Sequence, residues 1–224
     1  MASRLSLGLL CSALVLVSVS CGGGGSGAKL RVLQASPSQS NVDVLVDGKS
    51  AATDVGYGAA TTYISESSGS HHLQIEPTGS STPFIDETIS LDSSSQTTFI
   101  VANITPNVVA LPFTDQSTAP TSGNIAIRVI NAAPSLATVD VYVVPTGADI
   151  SSIAPTVSGL AFEGATTYQS LVAATYQVYF TIPGTKFVLV NTGAINLSSG
   201  QVRTVVGLEA SGGGYTSLTL ADLG

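Results

Sequence analysis

The chain has 224 residues, of which 44% are hydrophobic and only 9% charged. That apolar content is enough for a core and excludes wholesale disorder. Seven Lys and Arg stand against fourteen Asp and Glu, a formal net charge of −7, which excludes a surface that tracks nucleic-acid phosphates, so no nucleic-acid partner is expected.

Residues 1–20 read as a signal peptide. Arg4 precedes an apolar run over 5–19 that is too short for a comfortable membrane span and fits a secretory h-region. Cys21 follows, and then GGGGSG. Ser18-Val19-Ser20 ahead of Cys21 resembles a bacterial lipobox, although Ser18 stands where that pattern usually has Leu. The resemblance implies a diacylglyceryl group on the Cys21 thiol. The same small residues suit an ordinary signal peptidase, which would release a soluble protein, and an uncleaved anchor is a third reading. Cysteine usage favours lipidation. Cys11 lies inside the signal, so Cys21 is the one cysteine of the mature chain and no disulfide can form within it. In Gram-negative lipoproteins an Asp after the cysteine commonly marks inner-membrane retention. By that resemblance Gly22 favours the outer membrane, and a Gram-positive host would use its single membrane. Residues 21–28 are then the lipidated Cys and a Gly/Ser tether.

The rest of the chain repeats itself. RVLQASPSQSNVDVLV at 31–46 returns as RVINAAPSLATVDVYV at 128–143. Ala60-Thr61-Thr62-Tyr63 returns as Ala165-Thr166-Thr167-Tyr168, Ile89-Ser90-Leu91 as Ile195-Asn196-Leu197, and Gln96 as Gln201. About a quarter of the residues are Ser or Thr, which favour strands and turns over helices. In chain order, strands are expected over 42–46, 71–75, 99–104 and 107–113, and then over 176–180, 186–190, 202–208 and 215–220. Turn residues separate them, among them Asp47-Gly48, Ser68-Gly69, Pro183-Gly184 and Ser199-Gly200. The polar stretch STAPTSGN at 117–124 marks a boundary between domains at 29–120 and 125–224. No window carries a capped amphipathic helix. The expected fold is all-β: two tandem immunoglobulin-like or transthyretin-like β-sandwich domains, of about seven strands each, after a signal peptide.

The R-V-x-x-A-x-P…V-D-V-x-V pattern, found twice behind a lipoprotein-type signal, resembles the bacterial family DUF4397, a domain of unknown function. The resemblance implies an exported, β-rich domain, often duplicated. It supplies no activity and no catalytic residues.

The candidate chemistry is sparse. His71 and His72 are the only histidines. As neighbours on a strand they point to opposite faces, so no shared metal site is expected. No G-x-S-x-G elbow is present. Asp86, Glu87 and Asp92, and Asp47 with Asp54, are candidate carboxylate pairs or calcium ligands, but read more simply as solvated loop residues. Arg31 and Asp43 recur as Arg128 and Asp140. The expected role is a cross-strand ion pair, with a ligand-binding pair as the functional alternative. Tyr63 and Tyr168 are expected to be buried with their hydroxyls on backbone, stacking on a sugar ring being the alternative. Tyr57, Tyr142, Tyr179 and Tyr215 are the other aromatics a glycan could use in a chain without Trp. Val42, Val44 and Val46, like Val139, Val141 and Val143, should point inward, and each copy should have its own core.

These readings give a lipid-anchored cell-envelope protein with a non-enzymatic binding or structural role. The alternative is a glycan-binding or glycan-processing accessory module. No catalytic residue, metal or cofactor is assigned, and the ligand is unknown. The expected partners are the membrane, through Cys21, and an envelope protein or glycan. The expected place is the bacterial cell envelope, at the outer membrane, with a periplasmic or surface-exposed body.

Overall fold

The computed structural model describes residues 27–223, so the signal, Cys21 and Gly22 lie outside the described residues. The first half contributes β1 (Ala28–Gln34), β2 (Val42–Val46), β3 (Lys49–Val55), β4 (Ile64–Glu66), β5 (Gly69–Pro77), β6 (Ile85–Leu91), β7 (Gln96–Ala102) and β8 (Val109–Thr114). The second contributes β9 (Asn124–Asn131), β10 (Thr138–Pro145), β11 (Val157–Ala161), β12 (Gln169–Val172), β13 (Ala174–Thr181), β14 (Val188–Asn191), β15 (Ile195–Leu197), β16 (Val202–Glu209) and β17 (Tyr215–Ala221). Among the described residues the one helical element is a 3-10 turn at Ile150–Ser152, capped by Asp149. The fold is all-β, as expected. The strand count is eight and nine rather than seven, because short edge strands such as β4 and β12 carry too few residues to show a period.

Each half is a β-sandwich. In the first, the sheet β4-β1-β7-β8 faces the sheet β3-β2-β5-β6. In the second, β12-β9-β16-β17 faces β11-β10-β13-β14, with β15 also paired to β13. β1 runs parallel to β7, and β9 parallel to β16; the other pairings are antiparallel. The β2–β3 hairpin turns on Asp47 and Gly48, both at positive φ (51° and 71°), as a primed two-residue turn requires.

Each sandwich has its own core, as expected. The β1-β7-β8 face that points away from the first core also packs on the corresponding β9-β16-β17 face. Leu33, Ile100 and Phe113 meet Ile130, Val206 and Leu208 there, in a third apolar cluster that joins the halves. Four sheets are stacked, and the two central ones are covered on both faces. Every residue of β7 is therefore buried, and its TFIVA run is continuous rather than alternating, the pattern of a strand with no wet face.

Val42, Val44 and Val46 are buried as expected, and so are Val139 and Val141. Val143 is only half-buried. Its neighbours Tyr142 and Val144 are buried instead, beneath Ile150 of the 3-10 turn, which covers the outer face of β10. The halves also differ inside. Ile75 and Val101 of the first occupy the places of Phe180 and Gly207 in the second, by equivalent strand register. A Cβ on Gly207 would lie 2.7 Å from Phe180 Cε1. A larger ring on one sheet is matched by a missing side chain on the other.

Candidate functional site

Where the apolar contact between the halves ends, a buried polar cluster begins. Arg31 on β1 is 4% exposed. Its Nη2 donates to Asp222 Oδ1 at 2.7 Å and its Nη1 to the Ala221 carbonyl at 2.7 Å, both in the other half. Its Nε and Nη2 also donate to Thr98 Oγ1. Arg128 on β9 repeats the arrangement in the opposite sense. It donates to Asp115 Oδ1, to the Thr114 carbonyl at 2.9 Å, and through Nε to Thr204 Oγ1 at 3.0 Å. Each arginine thus holds the carboxylate that ends the last strand of the opposite half, and the halves are clasped about an approximate two-fold axis.

The remaining acceptor positions of the carboxylates are filled from their own halves. Thr98 and Tyr63 hydroxyls donate to Asp115 Oδ2 at 2.5 and 2.7 Å. Thr204 and Tyr168 hydroxyls donate to Asp222 Oδ2 at 2.7 and 2.9 Å. The guanidinium carbons of Arg31 and Arg128 lie 4.6 Å from the Tyr63 and Tyr168 ring centroids, within cation–π range. Burial and the neighbouring carboxylates push both tyrosine hydroxyls far above their ordinary values, so they remain donors. Burial also raises the Asp222 carboxyl, opposed by the hydrogen bonds from Arg31 and Thr204. Two charges of each sign, hydrogen-bonded throughout, are the condition under which buried ions are tolerated. The cluster's hydrogen bonds join the two halves.

Several expected placements are corrected. Arg31 does not pair with Asp43, nor Arg128 with Asp140. Asp43 accepts from the Asp54 backbone N–H and the Thr78 hydroxyl, both at 2.8 Å, and these bonds hold its carboxyl below the usual range. Asp140 accepts from the Gly159 and Gly184 N–H groups at 2.8 Å. Each aspartate therefore ties an irregularity in the neighbouring edge strand, at Asp54 of β3 or Gly159 of β11, to a turn, at Thr78 or Gly184, which accounts for its recurrence. Tyr63 and Tyr168 are half-buried and donate chiefly to carboxylates rather than to backbone, because the clasp supplies the stronger acceptors. Gln96 lies opposite Lys29 and Val202 opposite Ala126, so Gln96 is equivalent to Val202 and the repeat slips by one residue from the Gln96–Gln201 match. Among the described residues no group of three or more His, Cys, Asp and Glu side chains is placed to hold a metal.

The histidines face opposite ways, as expected. His72 is exposed and pairs with Asp86. His71 is buried, 6% exposed. Its Nδ1 lies 2.8 Å from Asp47 Oδ2 and its Nε2 2.9 Å from the Ser67 carbonyl. The Asp47 hydrogen bond raises the imidazole's pKa above its ordinary value, burial opposing it. In the second half Tyr176 occupies this place, its hydroxyl 2.8 Å from the Val172 carbonyl.

Sequence reasoning missed Asp115, Asp222, Thr98 and Thr204. A signal was there: Phe113-Thr114-Asp115 and Leu220-Ala221-Asp222 each end the last strand of a half. Beside the clasp a cleft of about 610 Å3 opens between the halves. Lys29, Tyr63, Thr62 and Ser65 line one side, and Leu218 and Thr219 of β17 the other. No Asp or Glu lines it.

Among solved structures, the chain is similar to a leucine-rich repeat protein from Bacteroides thetaiotaomicron VPI-5482 at 10% identity and TM-score 0.22, over 80% of this chain and 26% of that one. It is similar to the Bacillus anthracis TIE protein at 7% identity and TM-score 0.27, over 86% and 34%. It is also similar to the CBM26 protein CBMbc from Eubacterium rectale Amy13K, solved in complex with maltoheptaose, at 13% identity and TM-score 0.25, over 86% and 95%. The chain thus spans about a quarter and a third of the first two of these proteins. No curated protein matches it. The family described as "Domain of unknown function (DUF4397)" matches residues 28–142, from β1 into β10 and so across Arg31, Asp115 and Arg128, and the chain belongs to that family.

Proposed function

We propose that this is a lipid-anchored cell-envelope protein with a non-enzymatic binding or structural role, formed by two tandem copies of the family's domain. The observation that carries the reading is the order of residues ahead of β1. A single cation, an apolar run, Ser18-Val19-Ser20, Cys21 and a Gly/Ser tether follow one another, the order needed to export a chain and leave its thiol at a membrane surface. Several acyl chains on Cys21 would anchor it stably, where one would not. The body behind the tether has its buried arginines and aspartates committed to joining its halves, which suits a stiff spacer or binding platform held off the bilayer. No helix among the described residues is long and apolar enough to cross a membrane. The site of action is the bacterial envelope, with the outer membrane favoured by Gly22.

Mass spectrometry of the N-terminal peptide and membrane fractionation test this. The mature chain should begin at an acylated Cys21, and Cys21→Ala should move the protein out of the membrane fraction. An unmodified Cys21 in a wild-type protein that stays soluble would remove the anchor from the reading. The second reading, a glycan-binding module, is favoured by one feature, the cleft whose wall includes Tyr63 and exposed hydroxyls.

A further inference from the structure

The two halves carry the same clasp but end their last strands differently. Phe113 of β8 lies opposite Thr98, and Leu220 of β17 opposite Thr204. Thr98 serves Arg31 and Thr204 serves Arg128, so Phe113 and Leu220 are equivalent, and with them Pro112 and Thr219. Arg128 has two rings near its guanidinium, Tyr168 at 4.6 Å and Phe113 at 5.8 Å. Arg31 has Tyr63 at 4.6 Å, but Leu220, without a ring, stands at the position of Phe113. The cleft of about 610 Å3 opens there, with Arg31, Tyr63 and Leu220 in its lining.

The second difference lies in the backbone. β8 and β17 are the last strands of their sheets, so each turns one row of N–H and C=O groups away from its neighbour. The Asp115 N–H donates to the Gln96 carbonyl and the Asp222 N–H to the Val202 carbonyl. Alternation along an antiparallel ladder then turns the peptide groups of Thr114 and Pro112 outward in β8, and those of Ala221, Thr219 and Ser217 in β17. Pro112 has no N–H to offer, and a proline blunts an edge. Thr219 keeps both groups and lines the cleft. One half thus has its edge closed by a proline and its ring position filled, and the other has both open.

We propose that the β17 edge and the cleft beside it bind an extended polypeptide segment that carries an aromatic residue. The proposal gives a partner to the binding role stated above and does not depend on the anchor. The segment pairs with the outward N–H and C=O groups of Thr219 and Ser217 by strand addition. Its ring enters the cleft beside Tyr63 and Leu220, where Arg31 supplies the cation that an aromatic face attracts. No Asp or Glu lines the cleft to compete for that cation. Leu218 and Leu223 add apolar wall. Tyr63 cannot swing away, since its hydroxyl is held by Asp115 and the Asp222 carbonyl; a fixed wall lowers the ordering cost of binding.

The test is a calorimetric titration of the full chain in detergent micelles, with empty micelles as the blank. The probes are the capped peptide Thr-Thr-Phe-Thr-Thr, the same peptide with cyclohexylalanine for Phe, N-acetylphenylalaninamide and maltotriose. The Phe peptide should bind with a Kd of roughly 0.1 mM. The cyclohexylalanine peptide, which lacks the π face, and N-acetylphenylalaninamide, which lacks the strand, should each bind at least tenfold more weakly. Thr219→Pro and Leu220→Phe copy the first half, so both should keep the wild-type melting temperature while weakening the Phe peptide at least tenfold. If either variant melts early, NMR of the wild type decides: the Phe peptide should shift the Arg31 Nε–H resonance and leave that of Arg128 in place. No peptide binding, or an unmoved Arg31 resonance, would overturn the proposal. Equal binding of the cyclohexylalanine peptide would overturn the aromatic assignment. Maltotriose moving the Arg31 resonance with the peptide silent would overturn the peptide and leave the glycan reading standing. A dimer of the chain in sedimentation, abolished by Thr219→Pro, would show a second copy on the edge and overturn a foreign segment. An unmodified Cys21 would leave all of these results as they are.

Discussion

Asp222→Ala removes one carboxylate from the clasp. Asp222 accepts from Arg31 at 2.7 Å, Tyr168 at 2.9 Å and Thr204 at 2.7 Å, and its side chain is fully buried. Without it Arg31 keeps Thr98 and a longer contact to Asp115 at 3.5 Å, but Asp115 already serves Arg128. Two buried guanidinium groups would then share one carboxylate. Breaking a buried pair from one side costs about 3–5 kcal/mol, because the partner charge stays behind. A chain of this size loses roughly 2–4 °C of melting temperature per kcal/mol, so the expected drop is roughly 6–20 °C. Scanning calorimetry should show one transition for the wild type, since each half's arginine finds its shortest carboxylate contact in the other half. The double replacement Arg31→Met with Asp222→Leu should recover most of the loss, because it removes both charges and fills the space. A cost for Asp222→Ala below about 1 kcal/mol would mean that water reaches the clasp, and the argument for a closed joint would fall.

Three further outcomes follow from other contacts. The His71–Asp47 pair should give the first half a pH optimum: His71's stabilisation is complete below its ordinary 6.5 and is lost as pH rises through its raised folded value, while Asp47's is complete above 3.8 and is lost as pH falls through its lowered value. Melting temperature against pH should therefore decline as pH rises above 6.5, and His71→Tyr, which copies Tyr176, should flatten that decline. Asp140→Ala removes the shared acceptor of the Gly159 and Gly184 N–H groups; both glycines are exposed, so water replaces part of the loss and the cost in urea melts should be about 1–2 kcal/mol, with Asp43, itself less buried, costing less. Gly207→Ala should cost about 1–3 kcal/mol by overpacking against Phe180, while Gly207→Val with Phe180→Ile, the first half's combination, should be better tolerated than Gly207→Val alone.

What the sequence exposes is whatever repeats at short range. The period of two in Val42-Asp43-Val44-Leu45-Val46 is enough to find β2 and its buried face, and the neighbouring turn residues find its end. The continuous Phe99-Ile100-Val101-Ala102 run is legible as a strand, but that both its faces are covered depends on which sheet lies beyond, and no local pattern names that sheet. The same holds for the arginines. Arg31 and Asp43 are near in sequence and recur together, which suggests a pair; Arg31 and Asp222 are 191 residues apart and meet only because the halves fold face to face. The recurrence of Asp43 and Asp140 is real, but what recurs is acceptance from backbone and hydroxyl donors of a strand irregularity and a turn rather than charge pairing. A duplication that conserves both ends of a contact cannot say whether the contact lies within a copy or between copies.

The exchange of partners across the joint also governs the order in which the chain can complete itself. Arg31 leaves a ribosome early, yet its 2.7 Å partner is residue 222. Until that residue emerges, the first sandwich holds a guanidinium with no carboxylate of the opposite half to meet it, and an apolar sheet face with nothing upon it. The first half is thus held short of its final stability throughout synthesis. Closure comes late and engages both sandwiches together, so a chain interrupted anywhere before its last strand should remain recognisably unfinished to proteases.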